Sequence, residues 1–226
     1  MPLSNRHLIL YFALAAVIAI AITSGIRPRT VAAAGFSGFG GPVSIHRMGG
    51  DIDVPNAPDG AELATMGGNI HVGSASFVKA KTMGGTIAVD AATGAVDVST
   101  MGGTITILQA GGRIHASTMA GDVSARLTGP SAGVREISLS SMSGKIVLAV
   151  PKDYGMNVRI KLAYTKKSSQ NFRIIQDLGL DQRESDEWDT HQGSPRKYII
   201  AQGRVGDGKN PVTIETINGD VVVKQE

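Results

Sequence analysis

The chain has 226 residues, with 29 glycines, no cysteine, one tryptophan, 4% aromatic, 42% hydrophobic and 18% charged residues. That much apolar content excludes wholesale disorder, and the lack of cysteine excludes disulfide frameworks, thiol catalysis and thiolate zinc sites. The formal charge of +3 does not mark a nucleic-acid binder: three of the 22 basic residues (Arg6, Arg27, Arg29) and none of the 19 acidic ones precede Gly35, so the remainder is neutral.

Residues 8–26 carry no Lys, Arg, Asp or Glu. Arg6 precedes this run and Ala32-Ala33-Ala34 follows it, which is the grammar of an export signal. As a helix, residues 8–26 reach about 28 Å, close to the ~30 Å hydrocarbon core of a bilayer. Residues 1–34 are therefore expected to be a helical signal peptide or a single transmembrane anchor, and residues 35–226 a separate domain. Either reading delivers that domain to the periplasmic or extracellular face, with membrane contact only through the N-terminal segment.

A repeat begins at Arg47-Met-Gly-Gly-Asp-Ile-Asp-Val54. It returns as Thr65-Met-Gly-Gly-Asn-Ile-His-Val72, Thr82-Met-Gly-Gly-Thr-Ile-Ala-Val89 and Thr100-Met-Gly-Gly-Thr-Ile-Thr-Ile107. Degenerate copies follow at Thr118–Ala125, Ser141–Leu148 and Thr216–Val223. The methionines Met48, Met66, Met83, Met101, Met119 and Met142 are 18, 17, 18, 18 and 23 residues apart. The glycines Gly49, Gly67, Gly84 and Gly102 follow them, and then the apolar column Ile52, Ile70, Ile87, Ile105. Alternation also holds before each Met, through Val43, Ala61, Val78, Val96, Ile114, Ile137 and Val212. Apolar residues at period two form a strand with one buried face.

A period near 18 residues has room for two short strands and a Met-Gly-Gly corner, which is one coil of a parallel β-solenoid. The predicted fold is all-β, with regular coils over 43–150. Thin stacked cores of β-branched residues account for the missing aromatics. The Thr column (Thr65, Thr82, Thr100, Thr118, Thr216) is expected at or inside the corner, with hydroxyls bonded along the stack. The Met column is expected to pack inside the corner.

After Val150 the rhythm loosens. Val158, Ile160 and Leu162 read as one more strand of an irregular coil, and the charged stretch 177–197, with Trp188, as a loop or cap within 151–210. Residues 211–226 read as the closing coil.

Short coils carrying Gly-Gly-x-Ile-x-Val, an irregular segment and then Thr216-Ile-Asn-Gly-Asp-Val-Val-Val223 resemble a bacterial adhesin-domain family of unknown function. The resemblance spans about residues 36–226. It implies a β-solenoid behind a signal or membrane segment, and brings no catalytic residues or cofactors with it.

Enzymes built on β-helices need paired carboxylates or an acid–base pair on neighbouring outward positions. One outward column, Glu62–Lys79–Asp97–His115, alternates in sign like a surface charge ladder. In another, Asp53 and His71, near Asp51 and His46, are the candidates for a metal or acid–base site. Calcium-type Gly-Gly-x-Gly-x-Asp nonapeptides, phosphate loops, nucleophile elbows and HExxH are absent from the sequence. No catalytic residue, cofactor or metal is assigned. The expected role is structural or adhesive at the cell envelope, with an envelope protein or glycan as partner. The alternatives are a carbohydrate-active or metal-dependent enzyme, with its site on the Asp53/His71 face or under the Trp188 loop, and a self-assembling scaffold.

Overall fold

The computed structural model describes residues 31–32, 40–129, 134–168, 171–191 and 194–226. The predicted helix over 8–26 lies outside the described residues. Among the described residues every regular element is a strand, and no helix is long and apolar enough to cross a membrane.

Strand β1 (Val31–Ala32) precedes six pairs: β2 (Val43–Arg47) and β3 (Ile52–Ala57), β4 (Ala61–Thr65) and β5 (Ile70–Ala75), β6 (Val78–Thr82) and β7 (Ile87–Ala92), β8 (Val96–Thr100) and β9 (Ile105–Ala110), β10 (Ile114–Thr118) and β11 (Val123–Leu127), β12 (Ile137–Ser141) and β13 (Ile146–Val150). Then come β14 (Met156–Thr165), β15 (Ile174–Gln176), β16 (Asp181–Glu184), β17 (Arg196–Val205), β18 (Asn210–Ile217) and β19 (Val221–Gln225). They form two sheets. One runs β1-β3-β5-β7-β9-β11-β13-β19-β15, the other β2-β4-β6-β8-β10-β12-β18-β14-β17-β16. Each coil gives one strand to each sheet, the arrangement of a parallel β-solenoid.

Pairing follows the repeat residue for residue. Ile52, Ile70, Ile87, Ile105, Val123, Ile146 and Val221 are successive parallel partners, as are Val43, Ala61, Val78, Val96, Ile114, Ile137 and Val212. Apart from half-buried Val43 these side chains are buried, and the two columns face each other as one continuous core. Removing such a column member costs about 2–5 kcal/mol when Ile is cut to Ala.

The corner explains the glycines, with a correction to which of the pair matters. From the second copy on, a Cβ on the second glycine would strike the corner carbonyl of the preceding coil: Gly68 at 2.0 Å from Gly50 O, Gly85 at 1.9 Å from Gly68 O, Gly103 at 2.1 Å from Gly85 O. The first glycines, Gly49, Gly67, Gly84 and Gly102, have no heavy atom nearer than 3.6 Å to such a Cβ. Ala120, Ser143 and Asn218 accordingly replace the first glycine in later coils, while Gly121, Gly144 and Gly219 keep the second.

The threonines bond along the stack as expected. Thr82, Thr100 and Thr118 donate from Oγ1 to the carbonyls of Gly68, Gly85 and Gly103, each one coil back, at 2.9, 2.8 and 2.9 Å. Ser141 and Thr216 do the same to Gly121 and Gly144, both at 2.9 Å. These bonds satisfy carbonyls that close stacking shields from water.

The methionines are not inside the corner. Met66, Met83, Met101, Met119 and Met142 are 46–51% exposed and Met48 83%. Because Thr65, Thr82 and Thr100 are already on the inward phase, the next residue must point out. The expectation gave hydrophobicity precedence over that alternation.

A second correction concerns stack order. The closing coil in sequence, β18 and β19, is not at the end of the stack. It pairs directly with β12 and β13, and the irregular coil of β14 and β15 stacks outside it. Val212, Ile214, Val221 and Val223 are thereby covered from both sides and at most 1% exposed. Beyond β14, β17 turns antiparallel and β16 forms the outermost edge, its four residues Asp181-Gln-Arg-Glu184 all exposed. A short, charged, antiparallel edge blocks further strand addition. A buried polar knot ties this cap to the stack. Asn210 accepts the Arg135 N–H at 2.7 Å and donates to Gly155 O at 2.6 Å, while Tyr154 Oη donates to Arg135 O at 2.9 Å. Burial pushes the Tyr154 phenol up to about 12.

Candidate functional site

Three outward-facing constellations have chemistry in them. The first contains Asp53 and His71. Parallel register sets the two residues side by side, and His71 Nδ1 lies 2.8 Å from Asp53 Oδ1. A third residue, missing from the sequence prediction, completes the group: Asp90 Oδ2 is 3.1 Å from His71 Nε2. Asp90 is not directly opposite His71, whose partner is the small Ala88; it reaches diagonally from two positions along β7. Only a diagonal search of the columns finds it. Asp51 does not join the group. Its Oδ1 accepts the Asn69 backbone N–H at 2.7 Å, one rung of a corner ladder that Asn69 continues to Thr86. His46 lies on β2, in the other sheet.

With a carboxylate beside each ring nitrogen, the protonated ring can donate to both, and it holds its proton more tightly. The Asp53 hydrogen bond is the largest cause raising the His71 pKa above its ordinary 6.5; partial burial opposes it and Asp90 adds to it. While it is protonated, the ring has no lone pair for a metal, and each nitrogen already faces a carboxylate of the protein. The triad clasps three successive coils. Among the described residues no group of three His, Asp or Glu side chains is arranged to hold a metal ion.

The second constellation is the charge ladder. Register places Glu62, Lys79, Asp97, His115 and Ser138 in successive coils. Asp97, His115, Arg113, Glu136 and Ser138 border one open depression of mixed charge. At the cap, Trp188 meets Tyr164 edge-on at 5.7 Å between centroids, with the Lys197 ammonium 5.6 Å from the Trp188 ring centre. Tyr164 donates to Glu184, which pushes the phenol up to about 12. These rings are thus engaged in holding the cap.

The third is the methionine edge. Thr65↔Thr82↔Thr100↔Thr118↔Ser141 are direct partners, so the methionines after them rise as a single file. Five coil steps at ~4.8 Å make this file about 24 Å long. Beside it on the face of the even-numbered strands runs the outward column His46, Ala64, Lys81, Ser99, Ser117 and Ser140, small except for His46 and Lys81. The result is a shallow trough with an apolar, pliable rim. Met66, Met83, Met101 and His46 border one end of it; Met119, Met142, Lys161, Arg196 and Tyr198 border the other. Methionine at exposed positions makes a surface that adapts to what it meets. An isolated exposed methionine needs no explanation, but a continuous file of six does.

No protein-family model matches the chain, and neither does any curated protein or solved structure.

Proposed function

We propose that the chain is an exported, non-catalytic β-solenoid of the bacterial adhesin-domain type, which binds a partner at the cell envelope through its methionine edge. The single observation that carries this reading is the file of six exposed methionines, five of them about half exposed and Met48 more so, beside a trough of mostly small residues interrupted by Lys81. A rigid stack holds that file straight, and flexible thioether side chains give it adaptable apolar contact. The export half of the reading rests on the apolar run over residues 8–26. The Asp53–His71–Asp90 clasp supports a structural role for its face rather than acid–base chemistry, because both ring nitrogens are engaged.

The test places a photo-crosslinking residue at Met83 or, as control, at Ala88 on the opposite sheet, in full-length protein in its host envelope. A defined crosslinked product from position 83 and none from 88 is expected. Equal products from both positions, or turnover of a polysaccharide or peptide by the purified chain, would overturn the reading.

A further inference from the structure

Toward the cap, the outward column beside the methionine edge changes character. Register carries it from Ser117 and Ser140 to Glu215 on β18 and then to Lys161 on β14. Strand β17, antiparallel to β14, sets Tyr198 opposite Ala163 and brings Arg196 in two residues before it. These residues border a pocket of about 300 Å³, with Met119 and Met142 in its wall.

Three charges stand in this pocket, Lys161, Arg196 and Glu215, and among the described residues none of them forms an ion pair. Arg196 is half-buried, and its Nε is fully buried with no hydrogen-bond partner among the described residues. A guanidinium drawn partly out of water without an acceptor is destabilising, which points to an acceptor from outside the chain. Lys161 does not reach its cross-strand partner Glu215. Its ammonium lies 4.7 Å from the Tyr198 ring centre instead. Tyr198 is itself held, because its Oη donates to Asp189 Oδ2 at 3.0 Å.

Two cations on neighbouring strands suit a carboxylate, and the planar fork of Arg matches it in shape. Glu215 is an acceptor only, so it suits a ligand's hydroxyl. Ser140 donates to Ser117 Oγ at 2.9 Å, which leaves Ser117 its own proton to give. The corner hydroxyls of Thr118, Ser141 and Thr216 are already bonded to glycine carbonyls. From β10 to β17 the pocket thus offers a donor, an acceptor and then two cations, with thioether and ring faces alongside. These five strands span about 19 Å at ~4.8 Å per step. A sugar acid presents the complement: hydroxyls and a carboxylate on a ring with apolar C–H faces. A simple anion leaves Glu215 unmatched, and a peptide C-terminus brings the carboxylate without the hydroxyls.

We infer that the pocket between the methionine edge and the cap binds an acidic saccharide, with a uronate carboxylate on Arg196 and Lys161 and sugar hydroxyls on Glu215 and Ser117. The inference goes beyond the partner-binding reading and does not depend on it, because the charged wall belongs to β14, β17 and β18 and not to the methionine file.

The experiment uses the full-length chain in non-ionic detergent, with ¹³C-labelled methionine methyl groups. It is titrated with trimers of galacturonate, glucuronate and mannuronate, with their methyl esters, and with trialanine. At least one uronate trimer binds and shifts the ε-methyl signals of Met119 and Met142, while those of Met48 and Met156 stay in place. Its methyl ester, R196Q and K161Q each weaken binding about tenfold, the scale of one lost charge-assisted hydrogen bond. K79Q, which removes the same charge elsewhere on this face, leaves the affinity unchanged. No binding by any uronate trimer, an ester that binds as tightly as its acid, or tighter binding of trialanine overturns the inference. If R196Q or K161Q loses the parent circular dichroism, the ester comparison on the unaltered chain decides. A chain that crosslinks at position 83 but ignores every uronate trimer loses this inference and keeps the partner reading. Uronate binding without a crosslink leaves the inference standing and removes the other.

Discussion

The stack over 43–150 and the segment over 151–226 are built from the same parallel-strand physics, yet they assemble under different rules. In the first, each coil's neighbour is the next coil in sequence, about 18 residues away, and the register repeats without exception from β2 to β12. In the second, neighbours are far apart in sequence: β18 slots between β12 and β14, and Arg135 meets Asn210 across 75 residues. Regularity makes the first region a ladder in which every rung is alike. The second is a lock, where an antiparallel return leaves room for the last coil and then seals it with a charged edge.

Four measurements can break or sharpen this contrast. The largest effect is expected at the regular corner. Gly85→Ala places a Cβ 1.9 Å from the Gly68 carbonyl and should cost about 3 kcal/mol or more, whereas Gly84→Ala, with nothing nearer than 3.9 Å, should stay within about 0.5 kcal/mol. Equal costs in chemical denaturation would remove the close-stacking account of the repeat.

Next comes the position of the last coil. Ile214→Ala should cost about 2–4 kcal/mol, as much as Ile105→Ala in mid-stack, because both side chains are fully buried. A cost well below that of Ile105→Ala would return the coil to the end of the stack.

A smaller loss, about 1–3 kcal/mol, is expected from Asn210→Ala. It removes the side-chain acceptor of the buried Arg135 N–H and the side-chain donor to the Gly155 carbonyl, which keeps only the Asn210 backbone N–H. Faster amide exchange in β14 and β17, with β4 to β10 unchanged, would show that the lock loosens independently of the ladder.

The smallest effect concerns the clasp. An NMR titration should place the His71 pKa above 6.5, and Asp53→Asn should lower it. The folded-state pKa is raised, so the contribution of the clasp to stability is complete below pH 6.5. It disappears as pH rises through the folded-state value. A His71 pKa at or below 6.5 would mean that the carboxylates do not hold the ring.

Much of the ladder is legible in the chain because a solenoid converts sequence spacing into spatial contact. Column members such as Ile70 and Ile87 are partners simply because they occupy the same phase of the repeat. The candidate site is legible only in pieces. Asp53 and His71 fall in one column, but Asp90 joins them diagonally, through the space that Ala88 leaves open. The methionines are conspicuous in the sequence, yet apolar character alone suggests a buried position. From Met66 to Met142 it is the inward threonine or serine just before each one, bonded to the preceding coil's glycine carbonyl, that turns the methionine out.

By itself, then, the sequence determines the coil length, the strands, the core columns and the need for a small residue at each corner, because these depend on local period and on neighbours one repeat away. Tertiary structure alone decides which glycine of each pair is indispensable, which way the methionines face and where the last coil inserts. Those outcomes depend on backbone approach between coils and on competition among exposed strand edges after Val150. Strands of the same apolar pattern can pair with any edge, and the antiparallel return of β17 leaves the edge of β12 to β18.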